Sequence, residues 1–294
     1  MIGNFDGFHR GHQQLLAQAG LFAANTGGPV VVMTFDPHPM SVVRPDFTPK
    51  RLMPRDEKLL RLRDAGADVV VVARSEPKLF SLTAAQFVRE VIEARFHPTH
   101  IVEGPTFGFG KGREGSPELL TTLAGKFGCE VHILEAVHMQ VDKGDMMMVS
   151  SSLIRQLLGD GKVRQAALCL GRPYGLFGGV IEGMQRGAEL GFPTVNLAVE
   201  DQLIPKDGVY AGIARVGGKD LAAAISIGSA PTFGDVSRQI EAHLLDFDGD
   251  LYGQSVRLDF LRILRNQEKF SGVEALKAQL SLDVQAVREA QDIF

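Results

Sequence analysis

Residues 10–35, RGHQQLLAQAGLFAANTGGPVVVMTF, carry two periodicities in succession. Leu15, Leu16, Ala19, Phe22 and Ala23 recur at helical spacing, and Gly27 offers a C-terminal stop. Pro29–Phe35 then runs as an apolar, β-branched stretch, the composition of a buried strand. A helix feeding a buried strand is the repeating unit of a parallel sheet flanked by helices.

Working outward, the alternation persists. Glu57–Ala65 reads as a helix ended by Gly66, and Asp68–Ala73 as another buried strand. Thr83 and Gln86 have the spacing of a capping box ahead of Phe87, Val88, Val91 and Ile92. His100–Glu103 is a strand; Ser116 caps, with Pro117 at the first helical position, a helix ending near Gly128; Glu130–Val137 is a further strand.

Beyond residue 170 the pattern changes. Gly178–Ile181, Val195–Leu197, Val209–Val216, Leu221–Ile227, Ile240–Phe247 and Ser255–Leu261 are short strand candidates with Gly and Asp clustered between them. That spacing predicts a small antiparallel barrel or sandwich. A helical tail follows, with Val273, Leu276, Leu280, Val284 and Val287 on one face. Arg172-Pro173-Tyr174-Gly175 breaks the preceding helix, so the expected division is an α/β parallel-sheet domain over 1–170 and an antiparallel β-barrel with a C-terminal helix over 171–294.

Composition narrows the class. A chain of 294 residues with 45% hydrophobic content suits two ordinary domains. The net charge of −4 gives no electrostatic reason to expect a nucleic-acid partner. Only Cys129 and Cys169 occur, without ligand spacing, which points to a reducing cytoplasm and away from disulfides or structural zinc. No apolar run approaches the roughly 20 residues a bilayer-spanning helix needs, and no signal-peptide pattern is visible. The expected setting is cytoplasmic, with small-molecule partners, no nucleic acid and no membrane.

The chemistry-bearing segments begin at residues 3–12, GNFDGFHRGH. His9 and His12 open a helix directly after a glycine-bounded turn, and helix N-termini carry unpaired N–H groups that attract phosphate oxygens. Imidazoles there can donate to the same oxygens, an arrangement suited to a nucleoside triphosphate attacked at its α-phosphorus. The plain alternative is a capped surface helix. Ser150-Ser151-Ser152-Leu153-Ile154-Arg155 opens a second helix whose hydroxyls and forked Arg155 can hold a triphosphate. Both segments are expected at carboxyl ends of strands, where open parallel sheets bind ligands.

Gly110–Gly115 matches GxGxxG, but its strand ends at Glu103, short of the glycines. A flexible basic loop over a phosphate or flavin site suits it better than a dinucleotide fingerprint. Pro105 and Gly112 rule out a Walker A reading of Gly110-Lys111. Asp36-Pro37-His38-Pro39 forces an extended turn at a strand end. In the second half, Thr194 and Asn196 are two apart on a strand, so their oxygens can share a hard cation such as Mg²⁺. Gly183 and Gly187 precede them on a loop able to close over phosphates. Glu241, mid-strand in apolar company, can act as general base on a substrate hydroxyl.

Together these residues resemble the bacterial bifunctional riboflavin kinase / FMN adenylyltransferase family, also called FAD synthetase. The likeness rests on GNFDGFHRGH (3–12), TFDPHP (34–39), GPTFGFGKGREG (104–115), SSSLIR (150–155), GFPTVN (191–196), PKDGVYAG (205–212), IGSAPTFG (227–234), IEAHLLDF (240–247), DLYG (250–253) and LRNQEKF (264–270), in the family's order. It implies a Rossmann-like nucleotidyltransferase domain that transfers AMP from ATP to FMN, giving FAD. It also implies a barrel kinase that converts riboflavin to FMN.

By that resemblance His9, His12, Ser151, Ser152 and Arg155 serve the phosphates of the adenylyl step, with Gly3, Asn4, Asp6, Thr106 and Phe107 around the nucleotide and flavin. Glu241 is the kinase base, and Thr194 and Asn196 bind Mg²⁺–ATP. Gly183, Arg186 and Gly187 form the phosphate loop, and Arg265, Glu268 and Phe270 border the flavin. The chain departs from the family pattern at Thr106, where Asp or Asn is common, at Ala188 after Gly187, and at Val195. Only Met1 and Ile2 precede Gly3, where the family runs several apolar residues; either the start lies further upstream, or the first strand is shortened and the platform under His9 and His12 weakened. Kinase activity alone, a flavin- or nucleotide-binding module without turnover, and a Rossmann-type oxidoreductase are the competing readings.

Overall fold

A computed structural model describes residues 1–141, 144, 146–182, 190–231 and 236–290. These form two compact units: Met1–Lys50, Arg55–Gln140 and Gly144–Ser151 in the first, and Arg51–Pro54 with Ser152 onward in the second.

The first unit contains α1 (Arg10–Thr26), β1 (Val31–Asp36), α2 (Met40–Val43), α3 (Arg55–Asp64), β2 (Val69–Arg74), α4 (Pro77–Phe80), α5 (Ala84–Phe87), α6 (Ala94–Phe96), β3 (His100–Glu103), α7 (Pro117–Ala124) and β4 (Glu130–Ile133). A π-helical stretch, Val88–Glu93, joins α5 to α6. The terminators act as their chemistry dictates. Gly27 takes the left-handed conformation and returns its N–H to Ala23 O. Thr83 and Gln86 complete the reciprocal capping box, and the Ser116 hydroxyl accepts from Leu119 N.

The strands form parallel pairs, β1 with β2 and β3 with β4. Val32 is buried, and the buried Met33 and Ile101 form one core cluster with Phe87, Ile92 and Leu120. The Val69–Ala73 run corrects the expectation of a buried strand. It pairs only with β1 among the described residues, and Val69 is 44% exposed. A β-branched run reports strand propensity; which faces are covered depends on neighbours that periodicity does not encode. The expected strand Glu130–Val137 stops at Ile133, and an antiparallel pair follows, β5 (His138–Gln140) with β6 (Met146–Met148).

Residues 1–3 run alongside β1. Met33 N donates to Met1 O at 2.9 Å, Gly3 N donates to Met33 O at 3.0 Å, and Ile2 bridges Met33 in parallel. Beside them lies a cavity of about 250 Å³ lined by Ile2, Phe22, Val31, Ile92, Ile101 and Val102. The adjacent turn is nevertheless held to β1 by these bonds.

Ile2 N also donates to the buried carboxylate of Glu103 at 2.5 Å. Burial pushes the Glu103 carboxyl up from its ordinary 4.5 to about 7, against the opposing pull of the terminal ammonium and this N–H. The folded state therefore holds a proton that the unfolded chain releases between those two values. Stability from this group is present at acid pH and lost as pH rises toward 7. Glu103→Gln keeps an oxygen for Ile2 and removes the charge. It is expected to raise the melting temperature by about 3 °C or more at pH 8, with the gain nearly gone at pH 5, as scanning calorimetry at both pH values would read.

The second unit begins within α8 (Ser151–Gly159) and continues through α9 (Val163–Leu170). It then forms β7 (Tyr174–Ile181), β8 (Thr194–Ala198), β9 (Gly208–Val216), β10 (Lys219–Pro231), β11 (Val236–Leu244) and β12 (Ser255–Arg265), and ends with α10 (Val273–Ala290). The six strands close into a barrel in the order β10-β11-β8-β7-β12-β9, as the short strand spacing predicts. Leu176, Tyr210, Ile225, Ala242 and Phe260 fill its interior at zero exposure. Close approach demands glycine at two points: a Cβ on Gly178 or Gly212 would run into the carbonyl oxygen of Ala198 or Asp259. Asp259, buried, accepts Arg257 Nε at 2.7 Å and Arg215 Nε at 2.8 Å, so its charge is paired twice. Helix α10 lays Val287 and Ala290 against Ala211 and Leu245 outside the barrel.

Candidate functional site

In the first unit the turn ahead of α1 is built by two buried aromatics. Phe5 and Phe8 sit at φ 50° and 37°, on either side of Gly7 at φ 80°. Burial of both rings holds a left-handed backbone that L-residues otherwise avoid. The turn delivers His9 to the N-cap of α1 without a side-chain cap bond, so the first-turn N–H groups keep no side-chain acceptor from that position. His12 stacks on His9 with ring centroids 3.6 Å apart, and Phe5 meets His12 edge-on at 5.1 Å.

His12 is half-buried, with Nδ1 enclosed and unpartnered. Burial, then His9, then Lys58 hold its pKa well below the ordinary 6.5, so the ring is neutral at pH 7. His12 therefore presents a neutral ring rather than a resident charge. The nearby cation is Lys58, whose Nζ is buried and donates to Thr34 Oγ1 at 3.0 Å, Asn4 O at 3.2 Å and Phe35 O at 3.2 Å. These bonds tie α3 to the end of β1 and to the turn carrying Asn4. Lys58 escapes sequence reading because RDEKLLRLRD looks like a solvated charged helix.

Two other expected residues, Asn4 and Ser151, bond at the turn. Asn4 Nδ2 lies 2.9 Å from His38 Nε2, which joins the Asp36–Pro39 turn to the first motif. Ser151 Oγ donates to Asp6 O at 2.8 Å within the first unit. Ser152 and Arg155 lie on α8 within the second unit.

The loop after β3 is ordered by packing. Phe109 stacks on Phe107 at 5.5 Å, and Arg113 donates to Thr106 O at 3.0 Å. Gly110 adopts φ 73° and abuts Ala84, while Gly115 abuts the Phe109 ring. Residues 111–113 form a single 3-10 turn, and α7 begins only at Pro117. The GxGxxG glycines thus serve contacts within the protein, and no strand runs into them. The dinucleotide fingerprint of the oxidoreductase reading does not survive this geometry.

In the second unit Glu241 on β11 lies opposite Asn196 on β8 and opposite Ser226 on β10. Thr194 faces His243 one step along. Residues directly opposite share a face, so Ser226, Glu241, Asn196, Thr194 and His243 form one polar row. The alternating Ile225, Ile240, Ala242 and Leu197 are buried on the other side. His243 Nδ1 is 2.8 Å from Pro193 O and its ring meets Phe192 edge-on at 5.5 Å, which holds the Gly191–Asn196 entry against β11.

The segment after β12 reaches this row. Gln267 Nε2 donates to Ser226 Oγ at 2.9 Å and to Ile227 O at 2.8 Å. Arg265 makes a forked contact with the buried Asp283 carboxylate, 2.8 Å at its shortest, and its guanidinium lies 5.5 Å from the Phe270 ring centroid. Its charge is thus held by α10, so Arg265 anchors the 265–270 segment in this structure. Glu268 is exposed on it. Gly183, Arg186 and Gly187 lie outside the described residues. Gln267 and His243 were not among the expected site residues; no local pattern marks either one, since their roles come from pairing across the barrel.

Comparison with known proteins divides the chain in the same order. Residues 1–152 match the family model described as FAD synthetase, and residues 170–291 match that described as riboflavin kinase. The bifunctional riboflavin kinase/FMN adenylyltransferase of Escherichia coli (strain K12) is 34% identical over 289 residues, covering 98% of this chain and 91% of that protein. Its namesake from Listeria monocytogenes serovar 1/2a is 38% identical over 293 residues, covering 98% and 90%. A crystal structure from Streptococcus pneumoniae, described as a macrolide-efflux protein, has a TM-score of 0.88 at 31% identity, over 98% of this chain and 93% of that one. Among the described residues no helix is long and apolar enough to cross a membrane.

Proposed function

Because this chain belongs to the bifunctional riboflavin kinase/FMN adenylyltransferase family, we propose that its two transfers use the two polar clusters described above, one in each unit. The enzyme phosphorylates riboflavin to FMN and adenylylates FMN to FAD, with ATP as co-substrate in both steps.

For the kinase step the carrying observation is the register that sets Glu241 opposite Asn196, with Thr194 on the same face. Glu241 accepts the proton of the riboflavin 5′-hydroxyl as its oxygen attacks the γ-phosphorus, and ADP leaves. Thr194 and Asn196 present hard, neutral oxygens beside a carboxylate, a donor set that suits Mg²⁺ with ATP. The cation would neutralise charge on the phosphates. The 265–270 segment borders the flavin, with Gln267 fixing it to β10 and Arg265 fixing it to α10.

For the adenylyl step an oxygen of the FMN phosphate attacks the α-phosphorus of ATP and pyrophosphate leaves. The N-terminal N–H groups of α1, with His9 and His12, receive the phosphates, and Lys58 supplies positive potential beneath them. Asn4, Asp6 and Ser151 keep the turn in shape; Thr106 and Phe107 border the flavin side. No covalent enzyme intermediate is needed, because positioning and charge neutralisation suffice for both transfers. A cytoplasmic setting suits two buried cysteines that are not disulfide-bonded and small-molecule substrates.

Purified protein given riboflavin, ATP and Mg²⁺ is expected to accumulate FAD, read by chromatography of the flavins. FMN as sole product would select the kinase-only reading. Folded protein that converts neither flavin would overturn both assignments.

A further inference from the structure

The ends of β3 and β4 remote from the phosphate-facing turn carry a cluster that neither transfer uses. His100 and Glu130 are register partners on adjacent parallel strands, and His132 lies two residues beyond Glu130. Period-2 geometry puts all three side chains on one face. His100 Nδ1 is 3.0 Å from His132 Nε2, and Glu130 Oε2 lies 3.7 Å from the first and 3.8 Å from the second. Phe22 of α1 stacks on His132 at 3.9 Å and on His100 at 5.1 Å, so both rings are oriented by packing.

We propose that His100, Glu130 and His132 form a Zn²⁺ site on the first unit, separate from the nucleotide chemistry. Ligand atoms about 2.1 Å from a zinc ion lie between roughly 3 and 4 Å from one another, and all three separations here fall in that range. Two imidazoles and one carboxylate are a zinc donor set that leaves a further position for water. Imidazole also selects a borderline ion over Mg²⁺, which prefers oxygen throughout. A contact of 3.0 Å between ring nitrogens requires a proton on one and a lone pair on the other. Zinc replaces that shared proton, which moves to the far nitrogen of its ring or to solvent. Orientation of both rings by Phe22 is the kind of outer support that metal-ligating histidines generally have. Glu130 is 71% exposed at its side chain, so an ion reaches the site from solvent.

The test is titration of Zn²⁺ into metal-stripped, tag-free protein by calorimetry, comparing wild type with the His100→Gln/His132→Gln double variant. Wild type is expected to bind one equivalent more than the double variant, and either single substitution to weaken that equivalent by at least about tenfold. Comparing by difference removes any zinc taken up at His9 and His12. Glu130→Gln, which alters only an exposed carboxylate, is expected to weaken the same equivalent with unchanged folding. FAD formation from FMN is expected to be unaltered in all these variants, confirming that they fold. Cobalt(II) should give visible absorption in wild type that is absent from the double variant. Equal zinc stoichiometry in wild type and double variant overturns the proposal, as does unaltered affinity in Glu130→Gln together with either single histidine variant.

Discussion

Replacing Glu241 with Gln is expected to abolish FMN formation from riboflavin, while conversion of supplied FMN to FAD continues. Gln keeps the shape and the hydrogen-bonding capacity but cannot take the 5′-hydroxyl proton. General-base catalysis contributes about a hundred- to ten-thousand-fold, and the loss should fall in that range. The substitution also replaces a half-buried carboxylate on a strand whose alternate residues form the barrel interior, so the barrel should fold as before. Separate assays with riboflavin and with FMN as starting flavin read the outcome. Loss of FAD synthesis from FMN would place Glu241 in the wrong reaction.

His12→Ala is expected to give the converse. FAD formation from FMN should fall by about a hundred- to a thousandfold, the usual result of removing a donor aimed at developing charge, with riboflavin phosphorylation preserved. The pH behaviour tests whether the ring is held neutral. In the folded protein His12 stays neutral below its ordinary 6.5, whereas the unfolded chain takes up a proton there. Its stabilising share is present above 6.5 and lost as pH falls below it. Wild-type stability should therefore decline below pH 6.5 more steeply than that of His12→Ala, as denaturant unfolding at a series of pH values would show. Equal slopes would mean that His12 is not held neutral.

Much of this architecture is legible in the chain because its determinants are local. Gly27 and Ser116 terminate and cap through bonds spanning only a few residues, and Thr83 with Gln86 does so through an i,i+3 pair. Thr194 and Asn196 stand two apart, so alternation along β8 foretold their shared face; that Glu241 lies on it comes only from the register of β8 against β11. What stayed hidden depends on pairing across long separations. Lys58 reads as a solvated residue until its helix is laid against Thr34 and Asn4. The valines of β2 read as core until β2 is seen to have a partner on one side only among the described residues. The tie from Gln267 to Ser226 spans 41 residues and leaves no local trace.

Closure of the barrel has a consequence for how this protein fails. A ring of six strands has no terminal strand, so another chain finds no free row of backbone groups to extend. The parallel pairs lack that protection, and β2 carries four consecutive valines, Val69–Val72, along its half-exposed length. Asp68 and Arg74 flank the run as charged gatekeepers, and the Asp68 carboxylate is engaged with Val30 N at 2.8 Å. When heat or acid loosens the molecule, intermolecular strand addition is therefore expected to start from Val69–Arg74, with the kinase barrel the half expected to stay soluble longest.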